Sequence, residues 1–296
     1  MCMSKIGEVK ALIASRAEAV FLWSWMTILS CLIIGRGFPP LLNTFMAVFS
    51  SMLIATSVYI YNDVIDRGMD ELNEVKKNRP IVAGRASVET AYQLVAVTGV
   101  LGLLASAYVN VETFISALSF FVIFFVYSMP QVRLKRMFIV KDLVIASGFI
   151  LCSLIGSTAV TGGINWPGVF AGFSFGVLGF LVNPSINDSF DVEEDRRYGI
   201  RSLAAELSWQ TQVLMLGAAV VYIVAASLYA ALKLGFNILL PVPVVLFSLL
   251  VFKQLPVMYP EFDAKNTLRV RKTVKAFVFF THLMFLVSRL NLGFLF

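Results

Sequence analysis

Apolar residues fall in nine long runs, each followed by a short polar stretch. About 20 mostly apolar residues are needed for a helix to cross a bilayer. The pattern predicts nine such helices, at residues 17–34, 41–61, 88–108, 112–128, 139–160, 168–186, 211–233, 238–252 and 276–294. The fourth and eighth are the shortest and contain or adjoin proline. No low-complexity stretch separates the runs, so residues 1–296 read as one all-α, polytopic membrane domain.

Composition agrees with that reading. Hydrophobic residues make up 58% of the chain and charged residues 14%, where a soluble domain carries nearer a quarter charged. Mean hydropathy is +0.83. The formal net charge of +6 could suggest nucleic acid in a soluble protein. Here the cations sit between apolar runs, so nucleic acid is not an expected partner. Cys2, Cys31 and Cys152 show no spacing for a disulfide framework or a zinc site. Residues 1–16 carry Lys5, Glu8, Lys10 and Arg16 and lead into a full-length apolar run, unlike a cleavable signal.

The cations also predict orientation. Of the 24 basic residues, 21 precede the first run or lie between runs two and three, four and five, six and seven, or eight and nine. The opposite loops hold Arg36 and Lys233, and Arg289 lies near the C-terminal end. Positive loops face the cytoplasm. The N-terminus and the even-numbered loops are therefore expected in the cytoplasm of a cell-membrane protein, with the C-terminus outside. Trp166 and Trp209 fall at expected interfaces. His282, the single histidine, lies in an apolar run and reads as a packing residue, with a functional role as the alternative.

Chemistry concentrates in two matching segments. Asn62, Asp63, Asp66 and Asp70 align with Asn187, Asp188, Asp191 and Asp195 at a constant offset. Each segment ends an even-numbered run, consistent with a weak internal repeat of parallel halves. Positions i, i+3 and i+7 share one helix face, so each motif is expected to stack three carboxylates on one stripe. Like charges so placed repel, and they are costly beside a bilayer. Divalent cations relieve both problems, and hard oxygen ligands suit Mg²⁺, which commonly bridges carboxylate and phosphate. A phosphate-bearing substrate needs further cations. Arg67, Lys77 and Arg79 follow the first motif, Arg197 and Arg201 follow the second, and Lys135 and Arg136 lie in the loop between. A solvated acidic face explains one such motif, but not two of identical spacing.

The two segments resemble the signatures of the UbiA superfamily of intramembrane prenyltransferases. Residues 62–84, NDVIDRGMDELNEVKKNRPIVAG, are similar to its NDxxDxxxD motif with the trailing Arg-Pro and Gly. Residues 188–203, DSFDVEEDRRYGIRSL, are similar to its second motif and the Gly-Ile-Arg-Ser/Thr-Leu run. Tyr127-Ser128-Met129-Pro130 with Lys135-Arg136 loosely resembles its middle loop. The resemblance implies nine helices around a central cavity, with short cytoplasmic cap helices at the Asp-rich loops. It implies two Mg²⁺ bridged by a prenyl diphosphate, and an apolar tunnel that opens sideways to lipid. Asn62, Asp66, Asp70, Asp188, Asp191 and Asp195 would serve the metals, with Asp63 a less direct member of the set. Of these, Asp66, Asp70, Asp191 and Asp195 are the catalytic candidates. Arg67, Lys77, Lys135, Arg136, Arg201 and Tyr127 would face the diphosphate.

The expected reaction moves a prenyl group from a polyprenyl diphosphate, such as geranylgeranyl diphosphate, to a lipophilic acceptor. Metal and basic residues stabilise charge on the leaving diphosphate. A dry site protects the carbocation-like prenyl group. Tyr127 and Phe190 are candidates to stabilise it through their ring faces. The expected acceptor is an aromatic quinone precursor of the hydroxybenzoate type. The alternative within the family is an ether-lipid enzyme of the digeranylgeranylglyceryl phosphate synthase type, and a porphyrin is a third acceptor class. Outside the family, the alternatives are a cation-coupled transporter and a CDP-alcohol phosphotransferase. The latter's DxxDGxxAR pattern fails where Arg67-Gly68 follow Asp66.

Overall fold

A computed structural model describes residues 4–73 and 76–290. Twelve α-helices, and no strand, are present among these residues. They are α1 (Lys5–Ile34), α2 (Leu41–Asp70), α3 (Val88–Val109), α4 (Val111–Ser128), α5 (Val140–Thr161) and α6 (Trp166–Ile186). After these come α7 (Val192–Arg197), α8 (Leu203–Glu206), α9 (Trp209–Lys233), α10 (Pro241–Phe252), α11 (Leu255–Met258) and α12 (Ala264–Val287). Helix starts follow capping chemistry. Ser87 accepts from the Thr90 amide at 3.0 Å and Asn110 from the Thr113 amide at 2.7 Å, each satisfying an orphan donor of the first turn.

Eight helical segments are long and apolar enough to cross a membrane: α1 to α6, α9, and the α10–α11 stretch Pro241–Met258. The ninth expected span is the exception. Lys265, Arg269, Arg271, Lys272 and Lys275 occupy the first half of α12, and a charged half-helix does not belong in hydrocarbon. Apolar residues dominate only from Ala276 onward. The predicted end of this span, beyond residue 290, lies outside the described residues, as does Cys2.

The other boundaries shift for a related reason. Hydropathy marks the lipid-immersed part of a helix, whereas hydrogen bonding carries the helix further. Thus α1 begins at Lys5 and α2 continues to Asp70. Large apolar side chains such as Leu41, Leu104, Val122 and Leu246 are exposed on the outer surface, a surface suited to lipid.

Inside the bundle, close approach and hydroxyl pairs replace the hydrophobic effect as the organising force. A Cβ on Gly172 of α6 would stand 2.6 Å from Ser153 Cβ of α5. That proximity lets Ser153 Oγ donate to the Gly168 carbonyl at 2.7 Å, while Ser30 Oγ of α1 donates to the Ser153 carbonyl at 2.7 Å. Cys31 and Cys152 are buried free thiols.

One end of the bundle gathers the polar loops. The end of α2, the residue 76–79 turn, the residue 129–139 loop, and the α6–α8 segment all meet there. Lys76 bridges to Glu194 at 2.8 Å and Lys141 to Asp195 at 3.0 Å. The short helices α7 and α8 lie in this region, at the second Asp-rich loop.

Candidate active site

The first motif is the last turns of α2, so its carboxylates do share a helical stripe. Asp66 and Asp70 line a cavity of about 210 Å³ together with Asn62. Asp63 sits to the side of that cavity. Arg16 Nε donates to Asp63 Oδ2 at 2.8 Å, and Arg79 Nη1 lies 3.1 Å from Asp63 Oδ1. The same Arg79 nitrogen donates to Asp70 Oδ2 at 2.5 Å. Asp63 therefore orients a cation that faces the cavity. Asn62 Oδ1 accepts from Ser128 Oγ at 2.7 Å, tying the motif to α4.

The second motif departs from the expected single stripe. Pro184 lies within α6, which ends at Ile186. Proline deletes a backbone donor and clashes with the preceding turn. A 3₁₀ turn, Asp188–Phe190, follows, and Asp191 caps the new helix α7. The carboxylates nevertheless converge with those of α2. Asp191 and Asp195 line the same cavity as Asn62, Asp66 and Asp70. Asp188 stands behind them, partly buried, with its Oδ2 3.5 Å from the Lys141 ammonium and accepting no hydrogen bond. Asp195 Oδ2 accepts from Ser202 Oγ at 2.6 Å as well as from Lys141.

Two of the candidate cations, Arg79 and Lys135, line the cavity. Lys135 comes from the loop between α4 and α5. It is buried and paired with Asp66, and burial pushes its ammonium below the usual lysine range, against the opposing pull of Asp66. Lys76, Arg79 and Lys141 complete the cationic lining, and Arg133 reaches Asp66 at 3.3 Å. Arg67, Lys77, Arg136 and Arg201 are exposed and do not line the cavity. Arg201 instead pairs with Glu206 at 2.8 Å and lies 5.5 Å over the Phe138 ring. That hydrogen bond raises the Arg201 guanidinium above its ordinary range and lowers Glu206. Arg197 lines a separate surface cavity with Tyr198.

Position along the chain did not separate these groups, because backbone geometry does. Asn73 Oδ1 accepts from the Lys76 amide at 2.9 Å, fixing a 3₁₀ turn that aims Lys76 inward. Arg133 and Ile139 adopt positive φ of 47° and 66°, a strained choice for side chains with a Cβ. They bracket the turn that carries Lys135. A signal for Lys141 did exist: Lys141-Asp142 is a charged pair at the start of an apolar run, which marks function by default.

Tyr127 lines the cavity beside Phe124 and Tyr59, but Phe190 does not. The Phe190 ring packs on Phe262 at 5.6 Å and under Arg271 at 5.7 Å. The cavity thus holds five carboxylates against four cations, with Asn62 as a further hard oxygen donor. Among the described residues, no three acidic, His or Cys side chains converge on a single point. Each carboxylate is closed instead by a basic partner. The donor set is entirely oxygen, and Asp188 Oδ2, which accepts no hydrogen bond, adds a buried ligand atom. These features fit Mg²⁺ once a phosphate draws the basic groups away from the carboxylates.

Comparison with known proteins places this geometry. The UbiA prenyltransferase family matches residues 23–286, and the chain belongs to that family: it is a multi-pass membrane enzyme that transfers prenyl groups. It is 24% identical over 251 residues to digeranylgeranylglyceryl phosphate synthase from Sulfurisphaera tokodaii, covering 83% of this chain and 85% of that protein. It is 33% identical over 216 residues to chloroplastic homogentisate solanesyltransferase from Arabidopsis thaliana, covering 68% of this chain but 55% of the plant protein. The fold matches that of a UbiA homologue from Archaeoglobus fulgidus bound to DMAPP and Mg²⁺, with a TM-score of 0.65 at 16% identity, over 90% of this chain and 97% of the other. Family membership answers the transporter and CDP-alcohol phosphotransferase readings that the acidic motifs also allowed.

The cation geometry yields a direct test. Arg79→Ala and Lys135→Ala are each expected to lower kcat/KM by about 10²-fold, the scale of losing one preorganised charge partner. Arg67→Ala and Arg136→Ala are expected to stay within about threefold. Initial rates of diphosphate release on the four purified variants check this; equal losses across all four would contradict the assignment.

Proposed function

We propose that this chain transfers the prenyl group of a polyprenyl diphosphate to a lipophilic aromatic acceptor of the quinone-precursor type, releasing diphosphate. One observation carries the reading: both Asp motifs, far apart in sequence, line one small cavity with Lys76, Arg79, Lys135 and Lys141. Two Mg²⁺ are the expected cofactors, as the solved relative's Mg²⁺ and DMAPP suggest. Asn62, Asp66, Asp70, Asp188, Asp191 and Asp195 would hold them.

Charge supports the scheme. The lining is one negative charge from balance. A prenyl diphosphate carries about −3 near neutral pH, so with two Mg²⁺ the load is roughly +1 and the cavity ends near neutrality. Bound Mg²⁺ would supply Lewis-acid stabilisation of the leaving diphosphate. The protein's own groups do the rest. Lys135, Arg79 and Lys76 turn from carboxylate to phosphate oxygens. Asp63 holds Arg79 at its post. Tyr127 and Phe124 offer apolar ring faces beside the site where the prenyl cation develops, and their bulk keeps water out. In this scheme the cavity end of the bundle, with the N-terminus and the basic loops, faces the cytoplasm, and the C-terminus lies outside.

A second reading, an ether-lipid prenyltransferase, is supported by the match across 85% of the archaeal synthase. An acceptor screen with radiolabelled geranylgeranyl diphosphate separates the two. The expected product is a C-prenylated aromatic ring; a prenyl ether of geranylgeranylglyceryl phosphate would establish the second reading instead.

A further inference from the structure

Asp142 takes no part in the scheme above, yet it is only 2% exposed. It stands in the first turn of α5, directly after Lys141, and does not line the diphosphate cavity. Its Oδ2 accepts from the Leu203 amide at 3.2 Å, while its Oδ1 has no hydrogen-bond partner. A buried carboxylate with an idle oxygen is costly, and packing alone is better served there by an apolar residue. The one hydrogen bond that Asp142 accepts from another element leads to the second Asp motif.

Leu203 opens α8, and the preceding Ser202 is its N-cap. Ser202 is fully buried and donates through Oγ to Asp195 Oδ2 at 2.6 Å. Lys141 donates to the same oxygen at 3.0 Å. Of these two donors, Lys141 is a cation that a phosphate can claim, whereas Ser202 is neutral and keeps its place on Asp195. The Asp142–Leu203 hydrogen bond ties α5 to α8 one residue from that hydroxyl. The other end of α8 has anchors of its own. Gln212 of α9 donates to the Ala204 carbonyl at 2.9 Å, and Arg196 of α7 to the Ala205 carbonyl at 2.9 Å. Loss of the Asp142 contact therefore loosens the start of α8 without detaching it.

We infer that Asp142 is a positioning residue for metal binding at the second Asp motif. It acts through Ser202, which holds the Asp195 carboxylate in the orientation a divalent cation needs. The inference rests on the prenyl-transfer reading above and deepens it. The position calls for an acceptor rather than a charge. Asparagine offers that acceptor and alanine offers none. The donor can be removed separately, because proline is tolerated at the first residue of a helix. Ser202, at φ −77° and ψ 159°, already has the extended backbone that suits a residue before proline.

The test is the Mg²⁺ concentration that half-saturates binding of a non-reactive thiolodiphosphate analogue of geranylgeranyl diphosphate to the full-length enzyme in detergent, measured beside each variant's Tm. Asp142→Ala and Leu203→Pro each cut the hydrogen bond. Each is expected to raise the Mg²⁺ midpoint about tenfold, the lower end of the cost of disturbing the partners of a ligating carboxylate. Asp142→Asn and Leu203→Ala keep the bond and are expected to stay within threefold of the parent. Both cuts remove one interaction, so the double variant is expected to match the worse single variant within about twofold. A merely structural role would lower Tm and leave the midpoint in place. The inference is overturned if either cut leaves the midpoint at the parental value, if Asp142→Asn shifts it as far as Asp142→Ala, or if the two cuts multiply in the double variant. Should Asp142→Ala fail to fold, Leu203→Pro against Leu203→Ala decides by the same criterion. A parent that binds the analogue without Mg²⁺ would overturn the metal-dependent reading itself, and the inference with it.

Discussion

Asp66→Asn and Asp191→Ala are each expected to lower turnover by at least about 10³-fold, equivalent to roughly 4 kcal/mol of lost transition-state stabilisation. The two residues come from different Asp motifs and line one cavity, so loss of either would remove one carboxylate from a shared ligand set. They differ in structural risk. Asp66 is buried between Lys135 and Arg133, and deleting one partner of a buried ion pair costs about 3–5 kcal/mol because a charge is left uncompensated. Asparagine keeps the shape and one oxygen, which makes Asp66→Asn the cleaner probe of chemistry. Asp191 is half-exposed, its nearest basic partner Lys76 being 3.6 Å away, so alanine is tolerated there. Rates of diphosphate release, measured beside a thermal unfolding scan of each variant, check both halves of this expectation. Activity within a few-fold of the parent would remove these residues from the metal set.

The second large effect is metal removal. Chelation with EDTA is expected to reduce turnover below about 1% of the parent rate, and added Mg²⁺ to restore it. Mg²⁺ supplies charge that side chains cannot. With five carboxylates facing four cations, an incoming diphosphate meets net repulsion. The four basic groups cannot serve carboxylate and phosphate equally well. Divalent ions held by the carboxylates would resolve the conflict, leaving Lys76, Arg79, Lys135 and Lys141 for phosphate oxygens. Turnover that survives exhaustive chelation and dialysis would count against this exchange of partners.

The acids were legible in the sequence and the cations only in part: Arg79 and Lys135 stand among the sequence candidates, whereas Lys76 and Lys141 do not. Carboxylates are rare beside apolar runs, so two runs of identical Asn-Asp spacing stand out, and the structure brings four of their six carboxylates, with Asn62, to one cavity. Lysine and arginine enter the same loops for reasons of topology, which hides those that bind. Lys76 and Lys77 are neighbours, and a 3₁₀ turn held by Asn73 decides which faces inward. Arg67 follows Asp66 directly, and a helix turns adjacent residues about 100° apart, so it points away. The break in the second motif was signalled by Pro184 but masked by spacing that matched the first. The ninth apolar run begins inside α12, whose charged first half and apolar second half form one continuous helix that a hydropathy window divides.

If the two acidic motifs jointly hold one metal-bridged diphosphate, losing either motif abolishes Mg²⁺-dependent binding. Equilibrium binding of a non-reactive thiolodiphosphate analogue of geranylgeranyl diphosphate, with and without Mg²⁺, tests it on the parent, Asp66→Asn and Asp191→Ala. The account predicts Mg²⁺-dependent binding to the parent and its loss in both variants. Mg²⁺-dependent binding of parental affinity in either variant would contradict it.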